Sequence, residues 1–233
     1  MARKRTELPP SARRNEILDA AQRFVASKGF EQMTIEDILA DLDISKGAFY
    51  HYFESKGVLL EALIGRMGEE ARGVLVPILE DRQLAALQKL QAWFDMAAQW
   101  KTARKEFLLS LIRTWYHDDN AVVRLKLRSD TLAWITPLLS QVIRQGIDEG
   151  VFTPSYPEQV GQVVFSLLYD LGDNLAGGLL TVAPDESTYA AAQATTAAFT
   201  DAVERALGAQ PGSLSMIDPE MLREWYTVPA SVV

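Results

Sequence analysis

The sequence contains no cysteine and only two histidines, His51 and His117. The lack of cysteine excludes disulfide bonds and thiolate metal sites. Asp118 and Asp119 follow His117, but adjacent side chains at the end of a helix seldom converge on one metal ion. The sequence shows no serine–histidine–aspartate set, no phosphate-binding loop and no supported pair of catalytic carboxylates. We therefore predict a protein that is not an enzyme and that holds no metal or cofactor.

The sequence also has few strand patterns and no long apolar run. None reaches the roughly 18 residues that cross a bilayer, and the basic start is not followed by the apolar segment of a secretion signal. Hydrophobic residues make up 48% and charged residues 23% of the chain, which is typical of a soluble globular protein. Apolar residues recur at helical spacing along most of the chain. We expect an all-α protein located in the cytoplasm.

The net charge of −8 is unevenly distributed. Residues 1–28 carry seven lysines and arginines against three acidic residues, whereas residues 61–233 carry 14 basic and 22 acidic residues. DNA binding requires a local basic face rather than a basic chain, so the arm that contains Arg3, Lys4 and Arg5 is a candidate DNA contact. A short basic arm can equally be a solubilising tail, and charge alone does not decide between the two.

Capping signals predict a longer helix followed by two short ones. Ser11 is a plausible N-cap for the first helix, and Gly29 suits the left-handed position that ends it. Thr34 followed three residues later by Asp37 is a capping box that begins the second helix. Ser45 caps the third. Two short helices that are joined by a tight turn and preceded by a packing helix form a tri-helical DNA-binding unit.

The second short helix of such a unit enters the major groove with its first residues against the base edges. Lys46 can donate to guanine acceptors or phosphate, Ser45 can donate or accept, and Ala48 can touch a thymine methyl group. Gly47 costs roughly 1 kcal/mol of helix propensity relative to alanine, a cost that makes sense if a side chain there would hold the helix away from the groove. We predict that Ser45 to Ala48 read bases.

Three ring side chains with hydrogen-bonding groups follow at residues 50–52, and they cannot all be buried on one helix. At least one must face outward, where it can donate to phosphate. Lys56 begins the next helix, where a cation opposes the helix dipole unless an anion such as phosphate neutralises both. Phe49 and Phe53 are better core candidates. The alternative is an ordinary three-helix core with exposed polar residues.

The segments TIEDIL at 34–39 and ISKGAFYHYF at 44–53, followed by Lys56 and Leu59, closely resemble the N-terminal signature of TetR-family regulators. The resemblance covers residues 11–60. It implies an all-helical homodimer with a helix-turn-helix DNA-binding domain and a C-terminal ligand-binding and dimerisation domain. Members of the family bind palindromic operators, usually as repressors that a small-molecule inducer releases.

The resemblance also implies roles for individual residues. It places residues 45–48 at base-reading positions. It places phosphate contacts at Thr34, Tyr50, His51 and Lys56. One departure is the turn between the two short helices, where the family often has Ala-Gly and this chain has Leu42-Asp43. Because aspartate tolerates turn conformations and can bond its own backbone, we expect the turn to form.

The rest of the chain is predicted to form long amphipathic helices. We place the DNA-binding domain with its basic arm at 1–57 and the ligand-binding and dimerisation domain at 58–233. Pro137 predicts a kink, and the role of the tail at 211–233 stays open. The predicted helices lie at about 84–101, 103–117, 121–149, 157–182 and 186–208, with a short one at 219–225.

Aromatic residues on these helices could line an apolar pocket for a small-molecule effector, although core packing explains each of them singly. Asp170 and Asp173 lie on a helix that is apolar nearly all round, where a carboxylate is costly unless paired. One of them could meet a cationic or hydroxylated ligand, or instead form a surface salt bridge. The predicted ligand-binding residues are Trp93, Trp100, Phe107, Trp115, Trp134, Phe165, Tyr169, Asp170 and Asp173.

Glycines and alanines permit close approach of the helices at 157–182 and 186–208. Two such helices from each subunit would form an isologous four-helix interface, and the resemblance implies a dimer interface there. The expected partners are double-stranded DNA, a second copy of the chain and a small-molecule inducer, without a membrane. A ligand-responsive activator and a ligand-independent architectural protein are the alternatives, because the sequence does not settle the sign of regulation.

Overall fold

The computed structural model describes residues 10–181 and 185–226, and every regular element within them is a helix. The predicted all-α class is therefore confirmed. A 3₁₀ turn at Asp118–Asn120 precedes the seventh helix. The helices are α1 (Pro10–Gln32), α2 (Ile35–Leu42), α3 (Lys46–Tyr50), α4 (Lys56–Glu80), α5 (Ala86–Thr102), α6 (Lys105–Trp115), α7 (Ala121–Asp148), α8 (Val160–Thr181), α9 (Glu186–Leu207) and α10 (Pro219–Tyr226).

The chain divides into two compact units. The N-terminal unit comprises the residues up to Glu69 together with Glu106–Asn120, and the C-terminal unit comprises Glu70–Lys105 and the residues from Ala121 onward. Helix α4 contributes residues to both. The predicted domain boundary after residue 57 stays a prediction, and the compact N-terminal unit extends beyond it.

The N-terminal unit is built on a small apolar core. Ile17, Val25 and Ile38 are fully buried there beside Phe49 and Phe53, so the two phenylalanines lie in the core as predicted. This core joins α1, α2 and α3 to the first half of α4 and to part of α6. Burial of this kind holds together helices that are too short to be stable alone.

The beginning of α1 differs from the prediction, whereas the break at Gly29 is present. The helix begins at Pro10 rather than after an N-cap at Ser11, because proline's fixed φ suits the first position of a helix. Gly29 has φ 80° and ψ 158°, a left-handed φ that favours glycine. A further short helical segment follows it and ends at Gln32, so the first helical segment ends at Gly29 as predicted. Phe30 is buried just beyond this break.

The C-terminal unit packs α5, α7, α8 and α9 around a second core. The end of α7 shows how tightly this core is filled. A Cβ atom added to Gly146 would lie 2.0 Å from the ring of Phe152, which is fully buried. Any larger residue at 146 would displace that ring. Helix α7 runs through Pro137 as one helix.

The segment after α9 folds back onto its own unit. Glu204 is buried, and its carboxylate accepts hydrogen bonds from the backbone N–H groups of Gly212 at 2.9 Å and Leu214 at 2.8 Å. Farther on, the hydroxyl of Tyr226 donates to the carbonyl of Leu175 at 3.0 Å. The described part of the tail, up to Tyr226, is therefore a packed element of the unit.

Helix α8 is the most apolar element of the described residues. By length and composition alone, its segment Val160–Leu180 could cross a membrane. Only 17% of the residues in its most apolar stretch are fully buried. Most of its other residues are only partly buried. No apolar run of this length was predicted from the sequence, and the segment includes the acidic residues Asp170 and Asp173.

Glu204→Ala tests the anchor of the tail. The change leaves two backbone donors without their acceptor, and an unsatisfied buried donor costs about 1–3 kcal/mol, so we expect a loss of about that size in the free energy of unfolding. Urea denaturation followed by circular dichroism measures it. Asp201→Ala is the matched control, because Asp201 forms an exposed pair with Arg205 that is worth at most about 1 kcal/mol. Equal losses in the two variants would contradict the assignment.

Candidate nucleic-acid interface

The corner between α1 and α2 is fixed by a network centred on Asp37. Its carboxylate accepts from the backbone N–H and the hydroxyl of Thr34, each at 2.7 Å, and from the ammonium of Lys28 at 2.5 Å. The Thr34 oxygen in turn accepts from the backbone N–H of Asp37 at 3.2 Å. The predicted capping box is therefore present. Lys28 first, and then Thr34, lower the pKa of Asp37 from 3.8 to about 2.

The turn between α2 and α3 forms on an aspartate. Asp43 has φ 49° and ψ 50°, a left-handed conformation, and aspartate is one of the few residues other than glycine that visits it readily. The backbone N–H groups of Asp43 and Ile44 both donate to the carbonyl of Leu39. The expected turn is thus made without the glycine that the family often has there.

Helix α3 is five residues long and is capped by Ser45. The Ser45 hydroxyl oxygen accepts from the backbone N–H of Ala48 at 3.2 Å. Its oxygen is therefore used in the cap, and its O–H remains as a donor. Ser45, Lys46 and Gly47 are exposed and Ala48 is half-buried. A Cβ atom added to Gly47 would have nothing closer than Ser45 Oγ, at 4.0 Å, so protein packing does not require glycine there.

The ring residues at the end of α3 divide between surface and core. Tyr50 is 41% exposed and stands edge-on to the buried ring of Phe49, with centroids 5.5 Å apart. His51 is exposed and meets Tyr52 edge-on at 5.0 Å. Tyr52 is half-buried against the core. Tyr50 and His51 are therefore the two rings that present polar atoms to solvent.

Lys56 lies at the start of α4 and is held against the end of α1. Its ammonium donates to the carbonyl of Glu31 at 3.0 Å and lies 4.7 Å from the ring centroid of Phe30. Partial burial lowers the pKa of Lys56, and the nearby carboxylates of Glu31 and Asp37 oppose that shift. Because a lysine ammonium has three N–H donors, one bond to Glu31 leaves others for an anion.

The phosphate contacts that the family resemblance implies lie in the N-terminal unit. Thr34 caps α2, Tyr50 is the last residue of α3, His51 follows it and Lys56 begins α4, all in the N-terminal unit. The predicted contacts Arg3, Lys4 and Arg5 lie outside the described residues. The arrangement as a whole is a helix-turn-helix whose second helix presents exposed polar residues at its beginning.

Comparison with known proteins agrees with this geometry. Residues 17–63 match the family profile described as bacterial regulatory proteins, tetR family. These residues form a helix-turn-helix domain of the TetR type. The chain is similar to the HTH-type transcriptional repressor KstR2 of Mycolicibacterium smegmatis, with 32% identity over 89 residues that cover 38% of this chain and 43% of that protein.

Other transcriptional regulators match over longer stretches. The HTH-type regulator YfiR of Bacillus subtilis is 27% identical over 163 residues, which cover 67% of this chain and 76% of that one. A transcriptional regulator from Cytophaga hutchinsonii has a similar structure, with a TM-score of 0.60, 18% identity and coverage of 91% and 98% of the two chains. That similarity concerns the fold. The match to KstR2 spans less than half of that repressor.

The nine residues predicted to bind a ligand fall in both units. Phe107 and Trp115 belong to α6 in the N-terminal unit, where Phe107 is buried in the core around α1. The other seven lie in the C-terminal unit. Two of the nine candidates therefore lie in a different unit from the other seven. Sequence spacing reveals the faces of a helix but not the unit that the helix joins.

The environment of Asp170 matches one of the two alternatives predicted for it. Asp170 is half-exposed and lies 3.3 Å from the guanidinium of Arg128, which also stands 4.6 Å from the ring centroid of Tyr169. The surface salt bridge, one of the two alternatives considered for Asp170, is thus present. Burial raises the pKa of Tyr169, and Asp173 adds to that rise.

Two buried tryptophan donors stand out among the remaining candidates. The Nε1–H groups of Trp93 and Trp100 are buried and have no hydrogen-bond acceptor among the described residues. Both residues lie on α5, seven positions apart, so they share one face of the helix. Their environment singles them out from the other aromatics, a distinction that sequence does not provide.

The Asp37 network predicts how acid affects the N-terminal unit. The pKa of Asp37 is about 2 when folded and 3.8 as a reference, so its stabilisation is complete above pH 4 and is lost as the pH falls through 2. Asp37→Asn should therefore flatten the decline of unfolding stability between pH 4 and pH 2, measured by thermal melts across that range.

A comparison with Asp41→Asn isolates the effect. Asp41 pairs with Arg23 on the surface and does not take part in the capping box. We expect this variant to keep the acid sensitivity of the wild type. A decline in Asp37→Asn as steep as that of the wild type would show that Asp37 does not control the acid response.

Proposed function

We propose that the protein is a homodimeric transcriptional repressor that binds a palindromic operator through α3 and leaves it when a small-molecule effector binds. The observation that carries DNA binding is the exposed beginning of α3, where Ser45, Lys46 and Gly47 project from a helix anchored by a buried phenylalanine. A cation, a hydroxyl and a position without a side chain suit contact with base edges in the major groove.

The open space around Gly47 supports this interpretation. Glycine lowers helix propensity by roughly 1 kcal/mol relative to alanine, and a Cβ atom at this position would meet no close protein neighbour. The protein's own packing therefore offers no reason for the glycine. Close approach of the helix backbone to a partner would explain the glycine, and we propose that duplex DNA is this partner.

The proposed dimer forms through α8 and α9. Most residues of α8 are only partly buried, and its Val163 side chain is 46% exposed. The outer face of α9 consists of small side chains, which allow close approach between helices. A second copy of the chain would cover both surfaces, and its two-fold symmetry would impose a palindromic operator. The exposed alanines of α9 are Ala190, Ala191, Ala194, Ala197 and Ala198.

The proposed effector is an apolar molecule that carries oxygen acceptors. A buried donor without an acceptor costs about 1–3 kcal/mol, and a carbonyl or hydroxyl oxygen placed beside Trp93 or Trp100 would recover part of that cost. The two N–H groups are about two helical turns apart on one face of α5. Repression rather than activation rests on the similarity to KstR2, which is a repressor, and such a regulator acts on DNA in the cytoplasm.

Selection of bound duplexes from a random pool tests the proposed function. We expect the wild type to enrich a two-fold symmetric sequence. Lys46→Ala should enrich a related sequence with relaxed preference at one base pair in each half-site, since a lost base contact costs about 1–3 kcal/mol at that position. Absence of any enriched sequence for the wild type would refute sequence-specific DNA binding.

The control for this selection is Lys126→Ala. Lys126 is exposed on α7 in the C-terminal unit, so the variant has the same change in net charge without a change at α3. It should select the same sequence as the wild type. An unaltered preference in Lys46→Ala would remove Lys46 from the base-reading residues while leaving the other contacts in place.

Trp93→Phe tests the chemistry of the effector. The variant keeps an aromatic ring and loses the N–H donor, so compounds with a carbonyl oxygen should bind about fivefold more weakly, the equivalent of about 1 kcal/mol. Thermal-shift titrations with ketones and lactones measure this loss, and hydrocarbons of the same skeleton are the control compounds. Equal weakening for both sets would show that Trp93 contributes only packing.

A further inference from the structure

Most described cations around the helix-turn-helix are neutralised by a carboxylate. Residues 10–69 contain seven lysines and arginines, and four of them form ion pairs of 2.5–2.6 Å. A cation that is already paired gains little from a phosphate, because it must first give up its partner. The four pairs are Arg13–Glu16, Arg23–Asp41, Lys28–Asp37 and Arg66–Asp19.

The other three cations have no carboxylate partner among the described residues, and each stands over an aromatic ring. The ammonium of Lys46 is 5.9 Å from the ring centroid of Tyr50, and that of Lys56 is 4.7 Å from the ring of Phe30. The third is Arg14, whose guanidinium carbon is 5.2 Å from the ring centroid of Phe53. An aromatic ring attracts a cation without neutralising its charge.

Arg14 and Lys46 stand at opposite ends of one row of rings. Phe53 lies 5.9 Å from Phe49, and Phe49 lies 5.5 Å from Tyr50. Phe49 and Phe53 are fully buried, so the row is a fixed part of the core. Arg14 is exposed on α1 and is thus tied to the same row that carries the predicted base-reading lysine at its far end.

The chemistry of the guanidinium group suits an anion at this position. Stacking uses the face of the group, whereas its five N–H donors lie in its plane. None of those donors has a hydrogen-bond partner among the described residues. Arginine recognises phosphate through paired N–H donors, and a side chain already held on a ring loses less conformational entropy when it binds.

We propose that Arg14 is a phosphate contact of the DNA-binding unit, independent of base sequence. The proposal rests on the proposed function, since the phosphate belongs to duplex DNA. Sequence periodicity did not point to Arg14, because its ring partner Phe53 is remote in the chain and the neighbouring Arg13 has the same residue type.

Salt-dependent binding to a random-sequence duplex of about 30 base pairs tests the proposal. Each phosphate contact contributes about 0.9 to the slope of log affinity against log salt concentration. Arg14→Gln should lower the slope by about that amount, so that its affinity falls about 3.5-fold less than that of the wild type between about 50 and 200 mM salt. Arg14→Lys, which keeps the charge, should retain the slope.

The matched control is the double variant Arg13→Ala, Glu16→Gln. It removes a neighbouring arginine together with its carboxylate partner, so the net charge is unchanged, and we expect the slope of the wild type. Circular dichroism melts of all variants show whether the N-terminal unit stays folded. A folded Arg14→Gln protein with an unchanged slope would overturn the proposal.

These measurements distinguish DNA binding by the protein from the role of Arg14. If the wild type shows no salt-dependent binding to duplex DNA, the proposed function is wrong and Arg14 has no phosphate to contact. If the wild type binds with a steep slope that Arg14→Gln leaves intact, DNA binding stands and Arg14 is only a stacked surface residue.

Discussion

The burial of Phe49 and Phe53 is the constraint on which the DNA-binding unit depends. A helix of five residues cannot persist alone, because nucleation fixes several residues before hydrogen bonds repay the entropy. Helix α3 persists because Phe49 anchors it in the core and Phe53 continues the anchor just beyond its end. The polar side chains exposed on α3 are held in place because these two rings fix the helix to the core.

Short-range patterns predicted much of this unit. The capping box of Thr34 and Asp37, the cap at Ser45 and the aspartate in the turn each depend on residues within a few positions, and the structure has all three. The positions of the long helices were also predicted to within a few residues, because their apolar faces repeat many times. Local hydrogen bonds and repeated periodicity are the kinds of information that a single sequence carries plainly.

Contacts between remote residues could not be predicted in this way. Three contacts join separate helices or loops. They are the hydrogen bond from Lys56 to the carbonyl of Glu31, the ion pair of Asp170 with Arg128, and the hydrogen bond from the backbone of Gly212 to Glu204. Phe107 was expected in a ligand pocket but lies in the core of the N-terminal unit, because an apolar face does not show which partner it meets.

The open surroundings of Gly47 have a consequence for evolution. Because a side chain at this position would meet no close protein atom, most substitutions there would leave the fold intact, and alanine would even favour the helix by roughly 1 kcal/mol. With residues 45–48 reading bases as proposed, residue 47 can change under selection for DNA sequence alone. A duplicated gene could acquire a new target site through this position without first acquiring stability to spare, and α3 is for the same reason a practical starting point for retargeting the protein to chosen DNA sequences.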